Sequence, residues 1–213
     1  SILGGKVSLH CGDALAVLRT LPSDHFHCVV TSPPYWGLRD YGVDGQLGLE
    51  QSLGEHVAIM TEVFQEVRRV LRPDGTLWLN YGDSYATSVN GRSAADTKAA
   101  CNDDRTFRDK PFSTIGVIHR GKRDVSRWGG GNNSDATLKP KDLCGIPWRV
   151  AFALQENGWY LRQDIIWSKP NPMPESVRDR CTKAHEYIFL MSKSERYYFA
   201  QDEIMEPVTC STI

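Results

Sequence analysis

Thr31-Ser32-Pro33-Pro34-Tyr35-Trp36 brings together the groups needed to grip a planar, amine-bearing ring. Ser32 offers a hydroxyl, and Tyr35 and Trp36 offer flat faces. The two prolines fix φ and remove two backbone donors, so carbonyls in the turn can point at a ligand without closing a ladder. The motif follows a short apolar run, Cys28-Val29-Val30, which predicts the exit of a buried strand. In open α/β sheets that edge is where ligands bind. The residue types alone also suit a plain proline-rich strand exit with aromatics packed for bulk.

Ser-Pro-Pro-Tyr after a hydrophobic strand resembles the catalytic motif of the DNA amino-methyltransferases, and further blocks extend the resemblance over about 7–200. In that family a methyl group passes from S-adenosylmethionine to an exocyclic nitrogen of a base. Members that modify adenine usually start the motif with Asp or Asn; a Ser start with Trp after the Tyr is more typical of the cytosine-N4 type. The resemblance implies a catalytic set of Ser32, Pro33, Pro34 and Tyr35. The Ser32 hydroxyl and the Pro33 carbonyl would accept from the amine, Tyr35 would stack on the flipped base, and Trp36 would support it. Gly12-Asp13 resembles the element that holds the adenine end of the cofactor, with Thr31 beside it. Asp13 also suits a plain helix N-cap. Asn80-Tyr81-Gly82-Asp83 resembles a block bordering the base pocket, although Asp83 equally suits a turn. Ile166-Trp167-Ser168-Lys169-Pro170-Asn171 resembles the block that closes the pocket, with Trp167 against the base and Lys169 at a phosphate. His185 reads as a strand-edge histidine, not as a ligand.

These residues need elements to position them. Residues 7–10 read as a first strand, 14–21 as a short helix closed by Pro22, and 27–31 as the second strand. From 53 to 71, Leu53, Val57, Met60, Phe64, Val67 and Leu71 recur on one helical face. Arg72-Pro73-Asp74-Gly75 reads as the turn that stops this helix, and 76–81 as the third strand. A helix is predicted over 147–157, with Pro147 near its start and Gly158 after its end. Strands follow over 160–167 and 186–191, then a hairpin return over 196–199. The pattern predicts an α/β fold with a mostly parallel sheet and one reversed strand. The resemblance makes this a Rossmann-like, S-adenosylmethionine-dependent methyltransferase sheet.

A chain of 213 residues with 40% hydrophobic content reads as a single domain, 1–213, able to bury a core. No apolar run approaches a membrane span, and the N-terminus lacks a signal-peptide pattern. Six scattered cysteines without a Cys-x-x-Cys pair suggest reduced thiols and no metal site. Localisation is expected to be cytoplasmic, in a bacterial or phage-encoded setting. The net charge of −1 carries no global signal, but its distribution does. Between 84 and 139 stand ten Lys or Arg against six Asp, so this stretch carries +4 and the remainder −5. A basic insertion, about 84–141, on an acidic body fits a polyanion such as double-stranded DNA. Arg120, Lys122 and Arg123 form its densest cluster. A solvated loop has the same composition.

The order of the blocks implies the permuted, beta-type arrangement, in which the catalytic half comes first. The glycine-rich cofactor loop of the family, Asp-x-Phe-x-Gly-x-Gly, is absent from the sequence, as are the strands that would carry it. About five of seven expected strands are read here. A missing C-terminal segment or a second chain would supply the rest. The rival readings are an adenine-N6 enzyme, a protein-glutamine or RNA methyltransferase, and an inactive DNA-binding fragment. The block order argues against the second.

Overall fold

The computed structural model describes residues 7–37, 45–50, 52–86, 138–139, 141–172 and 174–206. Helix α1, Ala14–Thr20, starts where Asp13 Oδ1 accepts from the Ala16 N–H at 2.8 Å, satisfying one of the orphan donors of the first turn. Strand β1 is Phe26–Thr31. Helix α2, Leu53–Val70, is capped by Ser52, which accepts from the Glu55 N–H at 3.1 Å. Its buried stripe of Leu53, Met60, Phe64 and Val67 follows the spacing read from the sequence, and it also takes in His56. Strand β2, Leu71–Tyr81, follows at once. Helix α3, Ile146–Glu156, has Pro147 in its first turn. Strands β3, Tyr160–Ser168, and β4, His185–Ser192, complete the sheet.

The sheet order is β1-β2-β4-β3. Strands β1 and β2 are parallel, and β4 runs antiparallel to both β2 and β3. The carboxyl ends of β1, β2 and β3 therefore share one edge. Helices α2 and α3 pack on one face, where Met60, Phe64, Ile146, Val150 and Leu154 meet Leu77, Leu79, Tyr81, Phe189 and Met191. Burying one such large side chain is worth about 1.5–3 kcal/mol, so the core sits under β2 and β4. No helix among the described residues is long and apolar enough to cross a membrane.

Four sequence expectations change. Residues 7–10 are not a strand: Val7 makes a lone bridge, and Leu9 is 77% exposed. Among the described residues no strand lies beside this segment, so it closes no ladder there. Arg72-Pro73-Asp74-Gly75 does not separate helix from strand but lies inside β2. Phe26 pairs with Leu71 and Cys28 with Thr76, so these four residues bulge opposite the single His27. The turn chemistry is spent on a bulge. Residues 196–199 form no strand; Tyr198 N–H makes a single bond to the Asp74 carbonyl at 3.1 Å along that bulge. The reversed strand is β4, whose hairpin-like partner is β3. Among the described residues the sheet has four strands, not the five read from the sequence.

Candidate active site

The Ser-Pro-Pro-Tyr turn leaves β1 at the carboxyl edge and folds over the end of β2. Asn80, on β2, holds it. Its Oδ1 accepts from the Tyr35 hydroxyl at 2.6 Å and from the Ser32 hydroxyl at 3.2 Å, and the two hydroxyl oxygens lie 2.9 Å apart. The Asn80 Nδ2 donates to the Tyr187 carbonyl on β4 at 3.3 Å, so the amide is turned with its oxygen toward the hydroxyls. A hydroxyl has one proton and two lone pairs. Where Ser32 donates to Asn80 or to Tyr35, its oxygen keeps a lone pair to accept from an approaching N–H.

Two glycines let the turn close. A Cβ on Gly82 would lie 2.4 Å from Cε2 and 2.6 Å from Cδ2 of Tyr35, a clash no real side chain tolerates. The Tyr35 ring therefore rests on bare backbone, stacked on Tyr81 with centroids 5.3 Å apart and planes at 30°. Gly48, at φ +91°, would bring a Cβ within 2.9 Å of the Tyr35 carbonyl, and only glycine adopts that backbone cheaply. Trp36 is buried, with its indole N–H donating to the Glu50 carbonyl at 3.1 Å. It supports the turn from within the core.

Asp83 is engaged by backbone. Oδ1 accepts from the Ser84 N–H at 2.9 Å and the Ile146 N–H at 3.1 Å, and Oδ2 from the Gly145 N–H at 3.1 Å. It thus caps α3 from a distance in sequence, a helix start that has no side-chain cap of its own. Burial pushes its carboxyl above the ordinary range, against the opposing pull of these N–H groups. Trp167 is half exposed near the end of β3, and Lys169 pairs with Glu186 while its Nζ lies 5.4 Å from the Trp167 ring centroid. Strands sit about 4.8 Å apart, so three spacings put this pair roughly 14 Å along the edge from Ser32. The two groups flank one edge and do not touch.

Thr31 ends β1 and pairs with Leu79 of β2, while Gly12 and Asp13 precede α1. Asp13 is exposed and uses one carboxylate oxygen as the cap of α1, while its Oδ2 makes no hydrogen bond among the described residues. That oxygen fits an amine donor such as adenine. Among the described residues no cluster of His, Cys, Asp or Glu is arranged for a metal ion. Arg120, Lys122 and Arg123, with most of the basic insertion, lie outside the described residues. Sequence reasoning singled out Asp83 from its block and passed over Asn80 and Gly82. The available signal was the polar Asn at the inner end of an apolar strand, followed two residues later by Gly.

Comparison with known proteins agrees with this geometry. Residues 26–211 match the family described as DNA methylase. The chain is 50% identical over 195 residues to the type II methyltransferase M.Cfr9I of Citrobacter freundii, covering 92% of this chain and 57% of that protein. It is 49% identical over 198 residues to M.SmaI of Serratia marcescens, covering 93% and 60%. Among solved structures, the PvuII cytosine-N4-specific DNA methyltransferase superposes with a TM-score of 0.51 at 17% identity, over 87% of this chain and 49% of that one. A candidate DNA modification methylase of Thermus thermophilus, solved with S-adenosyl-L-methionine, gives 0.52 at 21% identity, over 91% and 56%. These two likenesses bear on the fold, which is the Rossmann-like, mixed-sheet type. The chain spans somewhat under two thirds of the length of the curated relatives it matches. With its turn, sheet edge and sequence in agreement, the chain belongs to the DNA methylase family.

Proposed function

We propose that the protein is a type II, S-adenosylmethionine-dependent DNA methyltransferase that modifies the exocyclic N4 amine of a cytosine flipped out of double-stranded DNA. The observation that carries this reading is the Ser32 hydroxyl held within hydrogen-bond distance of Asn80 and Tyr35 at the sheet edge. The lone pair of an exocyclic amine is delocalised into its ring, which makes it a poor nucleophile. Acceptors on its two N–H groups, the Ser32 oxygen and the Pro33 carbonyl, favour the pyramidal form in which the lone pair is available. They act most strongly as positive charge develops on nitrogen. Ser32 is too weak a base to remove a proton first, so the proton leaves after transfer. When bound, S-adenosylmethionine supplies a methyl group activated by its sulfonium. Gly12, Asp13 and Thr31 would hold it, with Asp13 Oδ2 accepting from the adenine amine. Alignment of the two reacting atoms by the turn and this cofactor side provides much of the remaining acceleration.

A duplex base cannot enter this turn without leaving its stack. Tyr35 would stack on the extruded ring. Trp167, Lys169 and Asp83 would border it or the flanking strand. The insertion at about 84–141, through Arg120, Lys122 and Arg123, would meet phosphates. The outer edge of β1 carries no strand among the described residues. That edge is where a further segment or a second chain would bring the glycine-rich cofactor loop. Adenine N6 is the alternative target, because it presents an amine of the same geometry. Incubating the protein with duplex DNA and tritiated S-adenosylmethionine tests the activity. Label in DNA that is lost with Ser32→Ala is expected; label unaffected by that change would overturn the role of the turn.

A further inference from the structure

A chain of buried polar groups runs beneath the turn and is not used by the reaction as described. Glu50, His56 and Tyr81 lie in the apolar core, at 9%, 0% and 0% exposure. Glu50 Oε1 accepts from the Gly48 N–H at 2.8 Å, and Oε2 lies 2.8 Å from His56 Nδ1. His56 Nε2 lies 2.5 Å from the Tyr81 hydroxyl, which reaches the Pro34 carbonyl at 3.5 Å. Polar groups in a core cost stability unless each is satisfied. Here they are, and the last acceptor is a backbone carbonyl of the turn itself. Burial weighs on the Glu50 carboxyl, but the bonds from His56 and Gly48 hold it below its ordinary range. The carboxylate therefore orients His56 from behind. Burial first, then the Glu50 charge and Tyr35, push the Tyr81 phenol well above its ordinary range, so it keeps its one proton. That proton is left for the Pro34 carbonyl only when His56 carries a hydrogen on both ring nitrogens, donating one to Glu50 and one to the Tyr81 oxygen.

Tyr81 holds the turn twice. Its hydroxyl reaches the Pro34 carbonyl, and its ring stacks on Tyr35, the next residue. Pro33 precedes a proline, which confines it to extended or polyproline geometry. In a three-residue-per-turn helix successive carbonyls differ by about 120°, so anchoring the Pro34 carbonyl inward fixes where the Pro33 carbonyl points. We propose that Glu50, His56 and Tyr81 form a positioning relay that keeps the Pro33 carbonyl aimed from the sheet edge at the target amine. This rests on the reading of the turn as an amine-gripping site.

Pro34-Tyr35 is the only Pro-Tyr pair in the sequence. Protein labelled with ¹³C-carbonyl proline and ¹⁵N-tyrosine thus gives one carbonyl-to-amide correlation, and it reports the Pro34 carbonyl. Tyr81→Phe removes one oxygen and keeps the ring stack. It should move that peak upfield and lower kcat about tenfold or more, with KM for DNA and for S-adenosylmethionine within about twofold, since neither ligand touches the relay. A filler role for the triad would change only the melting temperature. Should Tyr81→Phe fail to fold, Glu50→Asp shortens the chain at its far end and should move the same peak with the hydroxyl intact. An unmoved Pro34 peak in the variants that fold overturns the relay, as does wild-type kcat in Tyr81→Phe. A moved peak in a protein that methylates no DNA upholds the relay and overturns the proposed function.

Discussion

The two sides of the carboxyl edge are finished differently. At the end of β2 the hydroxyls and rings of the turn have partners: Ser32 and Tyr35 on Asn80, Tyr35 on Gly82 and Tyr81, Trp36 on Glu50. Around the proposed cofactor residues, Asp13 and Gly12 are exposed and helix α1 buries none of its residues. On the proposed function this is a division of labour: the amine grip would be preorganised by the core of this chain, whereas the proposed cofactor residues lie exposed. A preorganised grip costs no reorganisation at the moment of reaction.

The largest effect should come from breaking the built side. Gly82→Ala forces the Tyr35 ring off its backbone floor. A displacement near 1 Å at a reacting geometry costs on the order of a hundredfold in rate, so turnover should collapse while S-adenosylmethionine affinity, read by calorimetry, stays put. Equal loss of both would dissolve the distinction between the two sides. Tyr35→Ala should come next, forfeiting about 1–3 kcal/mol of base stacking. Fluorescence of 2-aminopurine at the target position measures it: weaker extrusion is expected, and wild-type extrusion would remove Tyr35 from the grip.

Proton linkage sharpens the same contrast within the built side. Glu50 has its carboxyl held low, so it contributes stability that is present above its ordinary value of 4.5 and lost as pH falls through the lowered value. Asp83 is pushed up from 3.8, so between 3.8 and its raised value the folded chain binds more protons than the unfolded one, and stability falls as pH rises. Melting temperatures of Glu50→Gln and Asp83→Asn across the acid range should therefore change slope in opposite directions. Slopes that change together would mean that one of the two networks is wrongly drawn. On the open side, Asp13→Ala should show the smallest stability effect, about 0.5–2 kcal/mol from the lost cap. It should also weaken S-adenosylmethionine binding if Oδ2 holds the adenine. A lowered melting point with unchanged cofactor affinity would leave Asp13 a cap alone.

What was legible in the sequence follows from how local each signal is. The 3.6-residue stripe of α2, the cap at Asp13 and the Pro-Gly bracket of α3 are local, and the structure has them within one or two residues. The motif Ser32-Pro33-Pro34-Tyr35 was legible as a strand exit for the same reason. Asn80 was not, because its role depends on the register of β1 against β2 and of β2 against β4. His56 hid in plain view: it stands three residues after Leu53 and four before Met60, on the apolar stripe, but only Tyr81 and Glu50 reveal why a polar ring is there. Arg72-Pro73-Asp74-Gly75 misled for the opposite reason. Its local chemistry says turn, and tertiary pairing of the flanking residues turns it into a bulge within β2.

On the proposed function, the Ser32 hydroxyl and the Pro33 carbonyl grip the N4 amine of cytosine. The most direct test of this grip is the chemical identity of the product. Duplex DNA methylated by the protein with S-adenosylmethionine, digested to nucleosides and separated by chromatography with mass detection, should yield N4-methylcytosine, and the yield should fall in Gly82→Ala. N6-methyladenine in its place would contradict the account.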